Sequence, residues 1–559
     1  MSQNTKEILM KNWLIVAISL LSGFVYATPS HMSNVRGYTL NNNGALITFS
    51  NLVFEDGKVI AIGDLALSKQ FPHAILIDGK NKVLLPGMID AHGHVMGLMS
   101  LGESLVYVDL RGVETSSKAA QQVGNYANAH PELTLINGGG WNEVLWPGNS
   151  FPSAKQLDQY VADRPVILSR VDGHSSWLNS KALEMAGISK ETPDPPGGKI
   201  IRDAKGNPTG VLIDNAMDLM FEQLPKNSEA YLKSKLDAAG QHLLSVGITS
   251  VHDAGISKAE YDYYLKRQAA QTLPLRFYPM LWANAPEFTT MLEKGVVDDP
   301  FDFLSIRSVK AMADGSLGSR GASMLAPYSD DPDNSGLLTL NKNDYKPLFD
   351  LVLSHGFQLN VHAIGDRANR MVLDQFEQSF KHIGGQNQRN RIEHAQVIAV
   401  DDIPRFLSLN IIPSMQPTHA TSDKNMAEKR VGKARLQGAY AWQTFLKQGS
   451  PLAFGSDFPV ELANPFYGLH AAVTRQDKQN NPKDGWFSGQ AMSIKQAFRA
   501  FTIDAAYAAH QEKILGGLTA GKWADFILVD QDIFKIASKD IWRTKVLQTW
   551  IGGKQRFKQ

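Results

Sequence analysis

The chain has 559 residues, of which 43% are hydrophobic and 20% charged, a composition typical of a globular protein with a large core. Lysine and arginine total 56 against 55 acidic residues, and the net charge of +1 gives no basic surface for nucleic acid or an acidic membrane. The absence of cysteine excludes disulfides, thiolate metal ligands and a cysteine nucleophile. Any bound metal must therefore be held by nitrogen and oxygen.

The first residues have the pattern of a signal peptide. Lys11 precedes an apolar run from Trp13 to Phe24, and small residues suitable for cleavage extend to Ala27. The run is short for a membrane span. We therefore expect residues 1–27 to be removed and the protein to be periplasmic or secreted, with no membrane attachment after cleavage. An uncleaved N-terminal anchor is the alternative, and Met10 is a second candidate start.

Both ends of the mature chain contain short alternating apolar runs, which are typical of β-strands. Asp56-Gly57 separates two such runs and predicts a hairpin turn. Similar runs with glycine turns recur at 519–530 and 546–557. Because neither end can close a sizeable core alone, we expect residues 28–86 and 515–559 to form one small β-sandwich domain.

Residues 87–514 alternate between strand-like and helical stretches. The strand candidates are MIDAHGH, 247–255, 275–282, 306–315, 357–366, 391–396, 411–417 and 450–459. The helical candidates between or after them include 230–246, 345–354 and 494–508. Eight parallel strands alternating with helices predict an α/β fold with a (β/α)8 TIM barrel.

One connection in this pattern is too long. About 155 residues separate the first two strands, several times the length of an ordinary connection in an α/β unit. We interpret residues 102–224 as a folded insertion subdomain on the loop after the first strand. Such loops open at the face of a barrel where active sites lie, so the insertion is expected to be a lid or a substrate-binding unit.

The stretch LLPGMIDAHGHV, residues 84–95, places two histidines at the end of the first barrel strand. Side chains two apart on a strand point to the same side, so His92 and His94 can bind one metal ion. Asp90 has the same parity and could support one of the histidines. The alternative is a histidine pair that only packs, and later strands must decide between them.

Four later strands offer further metal-compatible groups. Lys310, His362, His394 and Asp457 lie in or near the C-terminal ends of the fourth, fifth, sixth and eighth predicted strands. These ends converge on one mouth of a barrel. Each residue alone is more often structural, and Lys310 alone would be expected to pair with Asp314. Five separate segments directed at one face are difficult to explain by packing.

This ordered set, with a terminal β-unit split between both ends, resembles the amidohydrolase superfamily of metal-dependent hydrolases. The segments VKAMADGSLGSRGA, LNVHAIGDRANR, RIEHAQ and AFGSDFPV are similar to its amidohydrolase-3 branch, which includes N-substituted formamide deformylase-like enzymes. The resemblance covers essentially the whole mature chain, including GGGWNE and VDGHSSWLNSKAL in the insertion.

The resemblance implies a centre of two divalent metal ions, expected to be Zn²⁺. His92 and His94 would bind the more buried ion, His362 and His394 would bind the other, and a carboxylated Lys310 would bridge both. Asp457 would contact the buried ion. The implied reaction is hydrolysis of a non-peptide C–N bond, in an amide, formamide or cyclic amide, by a metal-bridging hydroxide. Asp457 would take the hydroxide proton and deliver it to the departing nitrogen.

Candidate substrate contacts lie in the insertion and after the fourth strand. They are His174, Trp141, Trp177, Ser316 and Arg320. The alternative interpretation is that the tryptophans are core aromatics and that the serine and arginine belong to a glycine-rich helix start. His252 is either a neighbour of the site or a core histidine. The expected partner is a small-molecule substrate and not nucleic acid. The sequence does not decide whether the protein forms a homo-oligomer.

Two other functions compete with the binuclear hydrolase. One is a deaminase of the same superfamily with a single metal on His92, His94, His362 and Asp457, in which His394 serves only as a hydrogen-bond partner. The lysine on the fourth strand argues against it. The other is a non-catalytic regulatory or binding relative, and the presence of every ligand position argues against it.

Overall fold

The computed structural model describes residues 28–41, 44–98, 107–224, 228–340 and 342–559. The predicted signal peptide, 1–27, lies outside these residues, as do the first residues of the predicted insertion, 102–106. No helix within the described ranges combines the length and apolarity that crossing a bilayer requires.

The N-terminal segment forms the first strands of a mixed sheet. Its elements are β1 (Ser30–Leu40), β2 (Leu46–Phe49), β3 (Asn51–Glu55), β4 (Lys58–Gly63), α1 (Leu67–Gln70) and β5 (Ile75–Pro86). Asp56 and Gly57 connect β3 to β4 with φ angles of 49° and 77°. Positive φ at both central residues is the conformation of the tightest hairpin turns, so the predicted hairpin is confirmed.

After β6 (Met88–Gly93) and α2 (Val95–Leu98), the chain builds a separate sheet with its own core. The elements are β7 (Val108–Asp109), α3 (Ser116–Ala129), β8 (Ile136–Trp141), α4 (Ala154–Asp158), β9 (Val166–Arg170), β10 (Ser175–Leu178), α5 (Ser180–Met185), β11 (Gly198–Arg202), β12 (Pro208–Asp214) and α6 (Asp218–Phe221). The six strands are ordered β11-β12-β10-β9-β8-β7. Two clusters of buried apolar side chains pack against this sheet.

The central region then alternates strands and helices. Its first half contains α7 (Glu229–Ser245), β13 (Ile248–Asp253), α8 (Lys258–Ala269), β14 (Arg276–Phe277), β15 (Met280–Trp282), α9 (Phe288–Glu293), β16 (Val297–Asp298), β17 (Ser305–Ile306), β18 (Ser308–Met312) and α10 (Lys342–Ser354). Its second half contains β19 (Gln358–Ala363), α11 (Asp366–His382), β20 (Arg391–His394), α12 (Ile403–Ser408), β21 (Ile412–Met415), α13 (Pro417–Asp423), α14 (Ala427–Arg435), α15 (Trp442–Gln448), β22 (Ala453–Phe454), α16 (Pro465–Thr474), α17 (Ile494–Ala500) and α18 (Ile503–Ala508).

Each of the eight predicted strand segments contains at least one strand. They pair in parallel as β14-β13-β6 and as β15-β18-β19-β20-β21-β22, and a parallel bridge joins Gly93 to Phe458. The third predicted strand is divided into β14 and β15 at Pro279. Proline has no N–H to donate to the ladder, which explains this break.

The predicted helix at 494–508 is two helices, α17 and α18. Thr502 lies between them with non-helical φ and ψ of −133° and −93°. Its Oγ1 donates a hydrogen bond of 2.6 Å to the Phe498 carbonyl. A threonine hydroxyl that binds a backbone carbonyl can bend or end a helix, which hydrophobic periodicity does not reveal.

The C-terminal strands β23 (Phe526–Val529), β24 (Val546–Ile551) and β25 (Lys554–Lys558) return to the N-terminal sheet. The order is β25-β24-β23-β5-β1-β3-β4, with β2 paired to β1. Strands from both ends therefore share one hydrogen-bonded sheet. Because β5 leads directly into β6, this sheet fixes where the first strand of the central region begins.

Candidate metal centre

His92 and His94 lie at the end of β6, where the sequence places them. His92 is fully buried, whereas the side chain of His94 is 39% exposed. A Cβ on Gly93 would lie 2.2 Å from the Phe458 ring. The glycine between the histidines therefore permits β6 to approach the segment after β22, which carries the next acidic residue.

Asp457 faces both histidines from that segment. Its Oδ1 lies 3.2 Å from His94 Nε2 and 3.5 Å from His92 Nε2. Burial would raise the pKa of Asp457, but the hydrogen bond from His94 and the neighbouring imidazoles hold it well below its usual range. Asp457 is therefore an ionised carboxylate available to a cation.

Lys310 reaches the same point from β18. Its Nζ lies 3.3 Å from His92 Nε2, and burial lowers the pKa of the amine to about 8. Among the described residues, no carboxylate lies within 4.0 Å of this amine. The alternative pairing with Asp314 is wrong, because Asp314 instead accepts backbone hydrogen bonds, for example 2.8 Å from Gly365.

His362 and His394 complete the group from the ends of β19 and β20. Their ring centroids are 4.5 Å apart, and the His394 ring lies 4.8 Å from that of His92. His394 Nδ1 contacts Gln416 Oε1 at 2.9 Å, which leaves its Nε2 free. Burial lowers the pKa of His92, His362 and His394, so all three are neutral imidazoles, the form that binds metals.

Glu393 was not singled out by the sequence, yet it orients a central histidine. Its Oε2 lies 2.5 Å from His92 Nδ1, and Arg391 pairs with its other oxygen at 2.7 Å. Asp90, expected in this role, instead accepts hydrogen bonds from the backbone N–H of His92 and of Ser456. The sequence did contain a signal for this role: Arg391 and Glu393 are two charged residues, two positions apart, within one buried strand.

His419 is a second residue that the sequence did not indicate. It lies on α13, directly after β21, the seventh predicted strand, and its Nε2 is 3.5 Å from Asp457 Oδ2. Its ring stacks on His394 at 5.9 Å with an interplanar angle of 16°. The sequence assigned no side chain to the seventh strand, although QPTH follows it immediately.

Among the residues that the structure describes, two sets of three possible ligand atoms lie within 4.8 Å of one another. They are His92, His94 and Asp457, and His394, His419 and Asp457. The ligand atoms are only nitrogen and oxygen, and Asp457 Oδ1 is buried between two imidazole nitrogens. This chemistry fits divalent cations such as zinc.

Two cavities meet at these residues. One has a volume of about 300 Å³ and the other of about 710 Å³, and both are lined by His174, His362, His394 and Asp457. Because His174 lies in the segment between β9 and β10, the separate sheet at 108–214 helps to cover the site. Ser316 also lines the smaller cavity and donates a hydrogen bond to Asp172.

His174 is tied to a buried carboxylate. Its Nδ1 lies 2.7 Å from Asp214 Oδ1, and its ring centroid lies 5.1 Å from that of His362. Burial alone would lower the pKa of His174, but the hydrogen bond to Asp214 raises it above its usual value. The predicted placement of His174 at the site agrees with this position.

Trp141 and Trp177 do not reach the site. Both are fully buried in the core of the separate sheet, and their indole N–H groups donate to the carbonyls of Leu168 and Ser153. Their rings are 6.3 Å apart in an edge-to-face arrangement. The prediction that they contact substrate is therefore wrong, and the alternative interpretation as core aromatics is correct. The sequence alone did not show which side of the sheet the two rings face.

Arg320 and His252 also lie away from the cavities. Arg320 pairs with Asp330 at 3.0 Å, which uses its charge locally. His252 is fully buried, and its Nδ1 lies 3.0 Å from Arg391, so it belongs to the core. Of the predicted substrate contacts, only His174 and Ser316 line a cavity.

Comparisons with known proteins agree with this geometry. The chain is 34% identical over 572 residues to the protein LONG AFTER FAR-RED 3 of Arabidopsis thaliana, covering 97% of this chain and 96% of the relative. It is 31% identical over 507 residues to YtcJ of Bacillus subtilis (strain 168), covering 89% and 94%.

A solved structure is similar along almost its whole length. An uncharacterized metal-dependent hydrolase from Pyrococcus horikoshii OT3 aligns with a TM-score of 0.73 and 27% identity, covering 91% of this chain and 99% of that one. This likeness implies an α/β fold of the TIM-barrel type.

Residues 76–557 match the sequence profile described as the amidohydrolase family. The match covers far more than half of the chain, and the resemblance to the amidohydrolase-3 branch is thereby confirmed. The chain belongs to the amidohydrolase family.

Proposed function

We propose that this protein hydrolyses a non-peptide C–N bond of a small-molecule amide, formamide or cyclic amide at a centre of two Zn²⁺ ions bridged by a carboxylated Lys310. As a member of the amidohydrolase family, it is a metal-dependent hydrolase that acts on C–N bonds. Its ligands in this proposal are His92, His94, Lys310, His362, His394 and Asp457.

The observation that carries the proposal is the convergence of these six side chains. They come from five strands or strand ends that are far apart in sequence, yet they lie together at the junction of two cavities. Burying an amine and an ionised carboxylate among neutral imidazoles costs free energy that these contacts alone offset poorly. A bound cation would supply the missing partner.

The state of Lys310 supports its carboxylation. Burial lowers its pKa to about 8, so about a tenth of the amine is neutral at pH 7, far more than for an exposed lysine. A neutral amine can form an N–C bond with CO2 and release one proton to solvent, which converts a cation into an anionic oxygen ligand. The charges of Glu393 and Asp457 favour the ammonium form of Lys310, but the effect of burial is larger.

Asp457 is proposed to move the proton. When bound, the ions supply activated water and polarise the carbonyl group. Asp457 Oδ1 faces the ligand histidines. Its Oδ2 faces His419, which lines the smaller cavity. It can therefore accept a proton from the attacking water and deliver it to the departing nitrogen, which yields a carboxylic acid and an amine.

We also propose the finer architecture that the sequence predicts. The parallel strands would close into an eight-stranded barrel between β6 and β22, and the terminal sheet would fold into a sandwich. Residues 102–224 would form the insertion, and residues 1–27 a signal peptide for export to the periplasm or medium. N-terminal sequencing of exported protein starting at Thr28 would support cleavage, and a cytoplasmic protein that keeps Met1 or Met10 would contradict it.

A substrate screen tests the proposed reaction. Zinc-loaded protein would be assayed with N-formyl and N-acyl amines, N-acyl amino acids, cyclic amides and small carbamates, with chelator-treated protein as the control. We expect metal-dependent release of acid and amine, with two zinc ions per chain. One ion per chain together with ammonia release would favour the deaminase, and no turnover with full metal content would overturn the proposal.

A further inference from the structure

The smaller cavity contains more negative charge than its positive side chains balance. It has a volume of about 300 Å³ and reaches the metal centre at Asp457. Within the described part of the chain, no lysine lines it. Its two arginines and His174 are already paired with carboxylates of the predicted insertion: Arg111 with Asp109, Arg170 with Glu143 and Asp172, and His174 with Asp214. Any further carboxylate in the wall is therefore without a positive partner there.

Glu461 is one such carboxylate. It follows Asp457 by four residues, and its Oε1 accepts a hydrogen bond of 2.6 Å from the Ser422 hydroxyl. Among the described residues, no donor reaches Oε2 and no basic nitrogen forms an ion pair with either oxygen. Burial raises the pKa of Glu461 to about 7, and the hydrogen bond from Ser422 opposes this only in part. The ionised form of Glu461 lacks a counter-charge.

Asp423 is the second carboxylate, and its position is fixed. Its Oδ2 accepts hydrogen bonds of 2.8 Å from the Tyr440 hydroxyl and 2.9 Å from the Gln396 amide, whereas Oδ1 accepts none from the described residues. Burial raises the pKa of Asp423 to about 6. Asp423 follows His419 by one turn on α13, about 6 Å along the helix axis. Since His419 lies beside Asp457, the Asp423 carboxylate is one turn beyond the metal centre.

The rest of this cavity is partly apolar. Apolar side chains in its wall include Leu317, Ile364, Met426 and Val460. A volume of about 300 Å³ is roughly ten times the share of one water molecule in the liquid, so a short chain can enter. Apolar walls favour methylene groups, and free carboxylate oxygens favour a charged donor. An alkyl chain that ends in an ammonium group satisfies both.

We propose that Glu461 and Asp423 select small amides that carry a primary ammonium group, which they hold in the smaller cavity while the amide lies at the metal centre. This inference rests on the proposed function and narrows its substrate class to cationic amides. The ammonium group would donate to the free Oε2 and Oδ1 atoms and supply the counter-charge that both carboxylates lack. The cation can belong to the departing amine or to the acyl part, and the experiment separates these cases.

Two pairs of substrates test the selection. In the first pair, monoacetylated α,ω-diaminobutane is compared with N-pentylacetamide, in which a methyl group replaces the ammonium group. In the second pair, the N-methylamide of ω-aminopentanoic acid is compared with N-methylhexanamide, so that the cation lies on the acyl side. The members of each pair have the same number of non-hydrogen atoms, so the ratio of their kcat/KM values reports the charge.

Glu461→Gln, Asp423→Asn and the double variant keep the shape of the side chains and remove the charge. The matched control is Glu287→Gln, an exposed carboxylate that lines the larger cavity. The measurements are kcat/KM at pH 8, where both carboxylates are ionised, together with zinc content and the midpoint of thermal unfolding. A hydrogen bond to a charged group contributes about tenfold or more to binding.

The ratio of cationic to neutral substrate should therefore fall about tenfold in each single variant and further in the double variant. Glu287→Gln should keep the wild-type ratio, and zinc content should be unchanged in all variants. A fall confined to the first pair assigns the cation to the departing amine, and a fall confined to the second pair assigns it to the acyl part.

Two outcomes would overturn the inference. One is a double variant whose ratios in both pairs stay within about twofold of the wild-type ratios, and the other is a wild-type preference for the neutral member of both pairs. If zinc-loaded wild-type protein hydrolyses none of these amides and none in the wider screen, the proposed function fails instead. Calorimetric binding of the same pairs to wild type and the double variant then still tests the inference, because equal discrimination by both proteins would contradict it.

Discussion

Asp457 is the residue on which the proposed proton transfer depends, because its two oxygens have different neighbours. Oδ1 faces His92 and His94, whereas Oδ2 faces His419. The backbone of Asp457 has a φ of 61°, and its N–H donates 2.7 Å to the His92 carbonyl. This uncommon conformation is held by the hydrogen bond to β6, and it directs the carboxylate toward the histidines of the metal centre.

Asp457→Asn should give a folded, metal-loaded and nearly inactive protein. Asparagine keeps the size and one oxygen ligand but removes the base, and loss of general base catalysis costs about 10²–10⁴-fold in kcat. Turnover of a confirmed substrate and metal content by mass spectrometry provide the measurement, with His92→Ala as the metal-deficient comparison. Turnover within a few-fold of wild type would assign the base elsewhere, with His174 the next candidate.

Lys310→Ala should lose metal and activity together. The substitution removes the proposed bridge between two ions, whereas a lysine that only packed would be replaceable with little effect on metal content. Added acetate or propionate should restore part of the activity, because a small carboxylate can occupy the space left by the carboxylated side chain. Retention of two ions per chain with near-normal turnover would refute the assignment.

At the scale of elements, the sequence predicted which strands provide the ligands of the site. The alternation of side chains along a strand and the place where a strand ends can both be read from a short stretch of sequence. HxH on β6 and the ends of β18, β19 and β20 follow directly from the period of a strand. Glu393 and His419 were missed because their roles depend on neighbours from other strands. Trp141 was misplaced because a six-stranded sheet has two faces, and the pattern does not show which face the cavity adjoins.

The contact between α10 and α11 gives a pH-dependent prediction at this scale. Asp350 on α10 accepts hydrogen bonds from Ser379 at 2.7 Å and from His382 at 3.0 Å on α11, and also contacts Lys346. Burial would raise its pKa, but these donors lower it to about 2. Since the folded pKa lies below the unfolded value, this stabilisation is present above about pH 4 and lost as pH falls toward 2.

Asp350→Asn should therefore lower the stability at pH 7 by on the order of 1 kcal/mol, as for a partly exposed ion-pair network. The difference between variant and wild type should shrink as the pH falls below about 4. Thermal unfolding between pH 3 and pH 7 is the measurement, and Asp163→Asn, at a carboxylate that is 78% exposed, is the control. A difference that did not change with pH would show that Asp350 acts through packing alone.

At the scale of the whole molecule, one buried ion pair joins the central strands to the terminal sheet. Arg276 on β14 binds Asp525, which precedes β23, through two contacts of 2.6 and 3.0 Å. The guanidinium also lies 4.7 Å from the ring centroids of both Phe303 and Trp523. Sequence patterns identified both halves of the terminal unit, but this pair joins residues 249 positions apart and no local pattern indicates it.

Arg276→Met should destabilise the protein by about 3–5 kcal/mol, because it leaves the Asp525 carboxylate buried without its partner. The double substitution Arg276→Met with Asp525→Leu should recover much of the loss, since replacing both members of a buried pair by apolar side chains is often neutral. Chemical denaturation followed by tryptophan fluorescence, with limited proteolysis of the C-terminal strands, measures both effects. Lys381→Ala, at an exposed pair, should change stability by less than about 0.5 kcal/mol. A single variant as stable as the wild type would mean that the terminal sheet is held to the central strands by its apolar contacts alone.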